Sequence, residues 1–308
     1  MGSEIETRIP CFDLTKDPRN LIQGSDEWKD LCNRVRDAAE EYGCLEVLYS
    51  NIPASLTEDM FNASKELFDL PQETKVKNTS SKPYYGYLGK IDAVPLFESM
   101  GFEDPLSLQS AQTFAQAMWS DGNPAFCETA NAVSNKMYGL GLIILKMIME
   151  SYQVEEYYDS YVRSSSTVLR LIKYDAPKGN DSEIGLAAHV DKNAFAVLSQ
   201  NSVHGLEVLL KGGNWIPILP QIGSFTFVIG DSLKAWSNGR LHAARHRVMM
   251  SGDSVRYSFG FFLTPNDEAV IEAPKELIDE AHPRLFRPFN YVDFLSIYDT
   301  TLEAYATV

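Results

Sequence analysis

The segment 186–200, LAAHVDKNAFAVLSQ, sets a histidine, a carboxylate and an ammonium inside a run that is otherwise small and apolar. In an extended strand residues i and i+2 share a face, so His189 and Asp191 aim an imidazole and a carboxylate at one point while Val190 faces away. Alone, a His-x-Asp pair is most simply a satisfied polar pair or turn at a strand end. A third donor shifts the balance. The stretch NGRLHAARHRVMM carries His242 and His246, at least 53 residues beyond His189 and several short apolar runs later. Two imidazoles and one carboxylate on one face of a metal, with the other positions open, suit non-haem Fe(II) oxygenases. Catalytic zinc takes the same donors. A zinc hydrolase would also need a general base, and no second carboxylate stands at a suggestive spacing.

Ten residues beyond His246, SVRYSFGFF places Arg256 and Ser258 on one face of a strand. A rigid fork of N–H donors beside a hydroxyl matches a carboxylate. A lone strand arginine is commonly a surface ion pair, but Tyr257, Phe259, Phe261 and Phe262 argue against an exposed strand. An arginine inside a barrel beside a metal calls for an anion. Phe262, four beyond Ser258, falls on the same inward face, as core packing or as a wall of a substrate pocket, and Phe195, four beyond Asp191, is read the same way. Lys192 is either a surface lysine or a group at the site mouth that steadies an acidic or hydroxylated substrate. His204 and His282 read as solvated loop histidines, and His242 stays the fallback ligand.

These residues need a scaffold, and the hydrophobic period supplies one. In the first half, 9–14 reads as a strand. SDEWKDLCNRVRDAAEEYG reads as an amphipathic helix started by Ser25 and stopped by Gly43. CLEVLYS reads as a strand, TEDMFNASKELFDLP as a helix ended by Pro71, and 131–152 as a long helix. From about 165 onward come short β-branched or apolar runs separated by Gly, Asn, Asp and Pro, the pattern of a sandwich, jelly roll or barrel. The stretch 274–300 returns to helix with two proline breaks. No internal repeat or low-complexity linker divides the chain, which points to one compact unit.

Composition narrows the function classes. The 308 residues are 44% hydrophobic and 22% charged, as in folded globular proteins. A net charge of −15 with no basic block disfavours nucleic acid and anionic lipid as partners. Cys11, Cys32, Cys44 and Cys127 form no CxxC pair and fit reduced thiols in a cytoplasmic protein. The N-terminus lacks a secretory leader, Glu6 stands where myristoylation wants Ser or Thr, and sequons at Asn62, Asn78 and Asn180 carry no weight without secretion. The apolar run 138–149 contains two glycines and Lys146 and reads as a buried helix rather than a membrane span.

The segment GLAAHVDKNAFAVLSQNSVHGLEVLLKGGNWIPILPQIGSFTFVIGDSLKAWSNGRLHAARHRVMMSGDSVRYSFGFF resembles the core of plant 2-oxoglutarate/Fe(II)-dependent dioxygenases. IPCFDL, GCLEVLYSNIP and LFDLPQETKVKN are similar to that family's N-terminal region. KPYYGYLGK, VPLFESMGFED, GNPAF, the HVDKN form and EAHPRLFRPF resemble its AOP-like (alkenyl/hydroxyalkyl-producing) group. The resemblance implies an α+β fold: a double-stranded β-helix (jelly-roll) core with flanking helices. Its parts would be an N-terminal region over 1–120, a long supporting helix over 121–162, the jelly-roll core over 163–265 and C-terminal helices over 266–308. It implies His189, Asp191 and His246 as metal ligands, with HRV selecting His246 over His242. Arg256 and Ser258 would bind the distal carboxylate of 2-oxoglutarate, and Tyr174 would be a further co-substrate contact. LRLIKYDAP departs from the family's Asn-Tyr-Tyr, with Ile172 and Lys173 in place of Asn and Tyr.

The implied cofactors are Fe(II), 2-oxoglutarate, O2 and ascorbate as reductant. The implied reaction oxidises a small plant metabolite, chiefly by hydroxylation, with release of succinate and CO2. Desaturation, demethylation or ring closure are variants of the same chemistry. The group's range includes glucosinolate side chains and steroidal alkaloids, and the wider family also oxidises hormones such as auxin. A monomer is expected. A metabolite-binding jelly roll without turnover is the alternative from another class; the complete ligand set and the Arg-x-Ser pair argue against it.

Overall fold

The structure is a computed structural model that describes residues 8–15, 22–179, 183–296 and 301–307; the N-terminal leader and lipidation readings and the Asn180 sequon lie outside these residues. Strand β1 (Cys11–Asp13) precedes helix α1 (Asp26–Tyr42), where the Ser25 hydroxyl accepts the Trp28 N–H at 3.0 Å and Gly43 closes the last turn in the left-handed conformation. The two helix signals therefore act where the sequence places them. Strand β2 (Cys44–Leu48) follows directly and runs parallel to β1.

Helices α2 (Ala54–Phe68) and α3 (Gln72–Lys75) lead to strand β3 (Phe97–Glu103), helix α4 (Leu108–Met118), the long helix α5 (Pro124–Ser151) and short α6 (Tyr158–Arg163). Strands β4 (Ser165–Tyr174), β5 (Glu183–His189), β6 (Phe195–Gln200), β7 (Leu206–Leu209), β8 (Trp215–Pro217) and β9 (Ser224–Ile229) come next. Helix α7 (Asp231–Trp236), strands β10 (His246–Met250), β11 (Arg256–Pro265), β12 (Val270–Ile271) and β13 (Phe289–Asn290) and helix α8 (Tyr291–Ser296) complete the chain.

Two sheets face each other as a distorted jelly roll. The larger has the order β1-β2-β9-β6-β11-β4-β3 and the smaller β5-β10-β7-β8. Alternation divides the larger sheet's side chains between two cores. Phe259, Phe261, Phe195, Val197, Phe225 and Phe227 pack outward against α2 and α5. Tyr174, Val228 and Phe97 point inward against Leu206, Val208, Val248 and Met250 of the smaller sheet. Helix α5 has the length and composition of a membrane span, yet it is the central core helix, burying Met137, Leu140, Ile144, Leu145 and Ile148 against its neighbours.

Three expectations are corrected. The long helix starts at Pro124 rather than 131, because Asn123 caps it by accepting the Phe126 N–H at 3.0 Å and Pro124 sits where a missing N–H costs nothing. The first half contributes a strand that was not anticipated: β3 pairs along β4 from Phe97↔Tyr174 to Glu103↔Val168. Its residues 98–102 are buried on both faces and show no polar alternation to betray them. The region 266–308 is not a set of helices: among its described residues it holds one six-residue α-helix, two short 3₁₀ turns and the β12–β13 ribbon.

Phe195 is also placed differently from its expected inward position. The chain leaves the strand after His189 and re-enters at Phe195, so the turn between them resets the alternation. Phe195 is fully buried, its ring centroid 4.8 Å from that of Phe227 and its edge against Gly141 of α5. Phe195→Ala is expected to cost about 3–5 kcal/mol in urea denaturation and to leave substrate KM close to wild type in the folded fraction. A small stability loss with a raised KM would put Phe195 back in the pocket.

Candidate metal centre and co-substrate pocket

His189 ends β5 and His246 begins β10, and the antiparallel register pairs the two directly, with ring centroids 4.3 Å apart. Asp191 lies just past the strand, in a turn held by the start of α7. The Asp231 N–H donates to the Asp191 carbonyl at 2.7 Å, the Gly230 N–H to that of Ala194 at 3.0 Å, and the Ser232 hydroxyl to that of Lys192 at 2.5 Å. Residue 230 must be glycine for this approach, since a Cβ there would lie 2.3 Å from the Asn193 carbonyl oxygen. The turn brings Asp191 Oδ1 to 3.6 Å from His189 Nε2, and one ligand atom from each of His189, Asp191 and His246 lies within 4.8 Å of the others.

Backbone carbonyls set the tautomers. His189 Nδ1 is 2.8 Å from the Ala187 carbonyl and His246 Nδ1 is 3.0 Å from that of Ala244. A carbonyl only accepts, so each Nδ1 carries the proton and each Nε2 keeps its lone pair for a metal. Burial opposes charge on His189, but the neighbouring Asp191 carboxylate and the Ala187 carbonyl outweigh it and raise the pKa. Burial lowers that of His246, with His189 adding to the effect. Burial would raise Asp191, yet the adjoining imidazoles of His189 and His246 and the Arg170 guanidinium hold it below the ordinary carboxylate range. Two imidazole lone pairs beside an ionised carboxylate, opening on a cavity, fit Fe(II).

The same cavity is lined at its far side by Arg256, Ser258 and Tyr174, with Ile172, Leu186, Leu198, Gln200, Leu206, Thr226, Val248 and Phe262 as further walls. Arg256 is buried; its Nη1 donates to the Ser258 hydroxyl at 3.3 Å and its Nη2 to Gln200 Oε1 at 2.8 Å, while its buried Nε meets no acceptor in the protein. Burial lowers the Arg256 pKa, and Tyr174, whose ring lies 5.1 Å from the guanidinium carbon, partly restores it. Tyr174 itself is pushed up to about 12 by burial against the pull of Arg256, so its hydroxyl is neutral. A buried cation with unused donor capacity, in a cavity shared with a metal-type cluster, is a seat for a carboxylate.

Two family models match the chain: the 2OG-Fe(II) oxygenase superfamily over residues 164–265, which contain every residue lining this cavity, and the non-haem dioxygenase in morphine synthesis N-terminal family over residues 9–95. A probable 2-oxoglutarate-dependent dioxygenase of Arabidopsis thaliana, AOP1.2, is 39% identical over 302 residues, which is 96% of this chain and 92% of that protein. The chain belongs to the 2OG-Fe(II) oxygenase superfamily. Within it, its likeness is to the AOP-like plant dioxygenases. Among solved structures, the dioxygenase for auxin oxidation of rice superposes with a TM-score of 0.82 at 30% identity over 97% of this chain and all of that one. The Arabidopsis thaliana dioxygenase for auxin oxidation 1, in complex with 2-oxoglutarate, superposes with a TM-score of 0.81 at 29% identity, covering 90% of this chain and all of its own.

This oxygenase brings together seven of the nine residues singled out from sequence: His189, Asp191, His246, Arg256, Ser258, Tyr174 and Phe262 share one cavity. Phe195 does not join them. Lys192 does not line the cavity; its ammonium donates to the Phe294 carbonyl at 2.8 Å and lies 4.6 Å from that ring's centroid, tying the metal turn to α8. Of the two substituted family positions, Ile172 walls the cavity with an apolar side chain, whereas Lys173 points to the other face and lies 3.5 Å from Asp175. Sequence reasoning missed Gln200, which buttresses Arg256; its signal was its place two beyond Leu198 on the inward face of β6.

His242 stays outside the cluster, its backbone N–H bonded to the Ala39 carbonyl at 3.2 Å, and His204 and His282 are exposed. His246→Ala is expected to abolish stoichiometric iron binding, whereas His242→Ala keeps about one iron per chain by metal analysis; loss of iron in His242→Ala would overturn the ligand assignment. Lys192→Ala should speed amide exchange and proteolysis over 291–296 with iron affinity retained, and unaltered protection there would show that the contact with Phe294 holds nothing.

Proposed function

We propose that His189, Asp191 and His246 hold Fe(II), that Arg256 with Ser258 and Tyr174 seats the distal carboxylate of 2-oxoglutarate, and that the product is a hydroxylated plant specialised metabolite. The observation that carries the reading is the convergence of both sets on one cavity, lined by a two-imidazole, one-carboxylate cluster and by a buried arginine whose Nε meets no acceptor. His189, Asp191 and His246 would hold the Fe(II), which would supply the O2-dependent chemistry that links 2-oxoglutarate decarboxylation to oxidation of a C–H bond, with ascorbate as reductant. Arg256 binds and orients the co-substrate by charge and a fixed donor fork. Ser258 and Gln200 hold that fork in place. Ile172, Leu198, Leu206 and Val248 exclude water from the chamber and so strengthen the electrostatics inside it.

The enzyme is proposed to work as a monomer in the cytosol, with small molecules as its partners. The relatives named for auxin oxidation support a substrate of that size. Arg256→Leu is expected to raise KM for 2-oxoglutarate roughly 10–100-fold, the loss of charge-assisted hydrogen bonds, with iron content unchanged. Succinate release against 2-oxoglutarate concentration measures it, and an unchanged KM would remove Arg256 from the co-substrate site. Incubating wild type with a metabolite panel and reading products by mass spectrometry tests the outcome: a gain of one oxygen is expected, and a loss of two hydrogens would replace hydroxylation with desaturation.

A further inference from the structure

A second buried arginine lies on the inward face of β4, near Asp191 and just beyond the residues that line the cavity, and no carboxylate forms an ion pair with it among the described residues. Arg170 lies on β4 two residues before Ile172 and four before Tyr174, so it shares their inward face. It is only 9% exposed. Its Nη2 is paired with the Ser99 hydroxyl of β3, while its Nη1 is buried and meets no acceptor in the protein. Among the described residues no carboxylate lies within ion-pair distance of it, although Asp191 is close enough for each to shift the other's titration. Burial lowers its pKa to about 10, which leaves it a cation at neutral pH.

The fold makes room for this side chain. Gly101 of β3 sits opposite Arg170 in the ladder, and a Cβ there would lie 3.1 Å from the Arg170 Cγ and 2.9 Å from the Tyr85 carbonyl oxygen. Asn78 clasps Gly101 from both sides, donating to its carbonyl at 3.0 Å and accepting from its N–H at 3.3 Å. Beside the guanidinium, the buried Tyr85 hydroxyl is 3.3 Å from Thr264 Oγ1 and also hydrogen-bonds Tyr291 of α8. The neighbourhood is therefore polar, with Asp191 as the carboxylate whose charge Arg170 feels.

Charge balance then decides the ligand. With Fe(II), the Asp191 carboxylate, dianionic 2-oxoglutarate and the Arg256 cation in place, the chamber is neutral without Arg170. A buried cation left over is costly unless an anion meets it. We infer that Arg170 anchors a carboxylate on the primary substrate through Nη1, so that this oxygenase acts on small organic acids. The assignment rests on the oxygenase reading above and names its substrate class.

The test is calorimetry on the anaerobic Fe(II)/2-oxoglutarate complex with indole-3-acetate, phenylacetate, cinnamate and octanoate, each beside its methyl ester and primary amide. At least one acid is expected to bind ~10-fold or more tightly than its own neutral forms. Arg170→Gln should abolish that preference and Arg170→Lys retain part of it, a pattern that a purely structural arginine would not give. Should Arg170→Gln not fold, Gly101→Ala, which crowds the arginine stem, must weaken the acid more than its ester. A wild type with no acid preference across the panel, or a preference that survives Arg170→Gln, overturns the assignment. Succinate release by wild type separates the two readings: Fe(II)- and 2-oxoglutarate-dependent release without acid preference overturns the Arg170 anchor alone, and its absence overturns both.

Discussion

The antiparallel register that sets His246 of β10 across from His189 of β5 is the constraint on which the rest of this molecule depends. Because side chains alternate with a period of two, a slip of one residue would turn one imidazole out of the chamber and leave the other facing apolar walls. The register is protected on both sides. β10 pairs with β7 through His246↔Val208 as well as with β5, and each imidazole is pinned by the carbonyl two residues before it. Asp191 reaches the same point by other means, through a turn that α7 clasps from outside and that only a glycine at 230 can approach so closely.

The larger sheet does complementary work. Its outward face is welded to α2 and α5 by aromatic residues, which makes it a rigid wall, and its inward face carries polar groups one strand apart: Arg256 and Ser258 on β11, Tyr174 and Arg170 on β4, Gln200 on β6, Ser99 on β3. Arg256 faces Tyr174 in the ladder, and Arg170 faces the two small residues Gly101 and Gly260. Charged groups buried this deeply are tolerated because the fold supplies hydroxyls and amides to them in fixed directions, and because the reaction brings anions of its own.

Much of the site was legible in sequence because its chemistry is written in short-range patterns. His189 and Asp191 two apart, Arg256 and Ser258 two apart, and the Ser25 and Gly43 helix signals all depend on local geometry. What stayed hidden depends on the fold beyond the local pattern. β3 carries no alternation, since both of its faces are covered, so it reads as an ordinary loop until β4 pairs with it. Phe195 was misplaced because counting by twos across 190–194 ignores a turn that resets the face. Lys192 and the C-terminal segment were misread for a related reason: α8 meets the metal turn through the Phe294 carbonyl and ring, a contact 102 residues away in sequence. Arg170 carried no motif at all, and its unmet Nη1 shows only when the neighbouring strands are in place.

A crystal structure of the protein grown anaerobically with Fe(II) and 2-oxoglutarate tests the whole arrangement in one measurement. The expected result is a single metal bound by Nε2 of His189, Nε2 of His246 and the Asp191 carboxylate, with the far carboxylate of the co-substrate on Arg256 and Ser258. A metal held through His242 or through an Nδ1 atom, or a co-substrate whose far carboxylate lies away from Arg256, would contradict it.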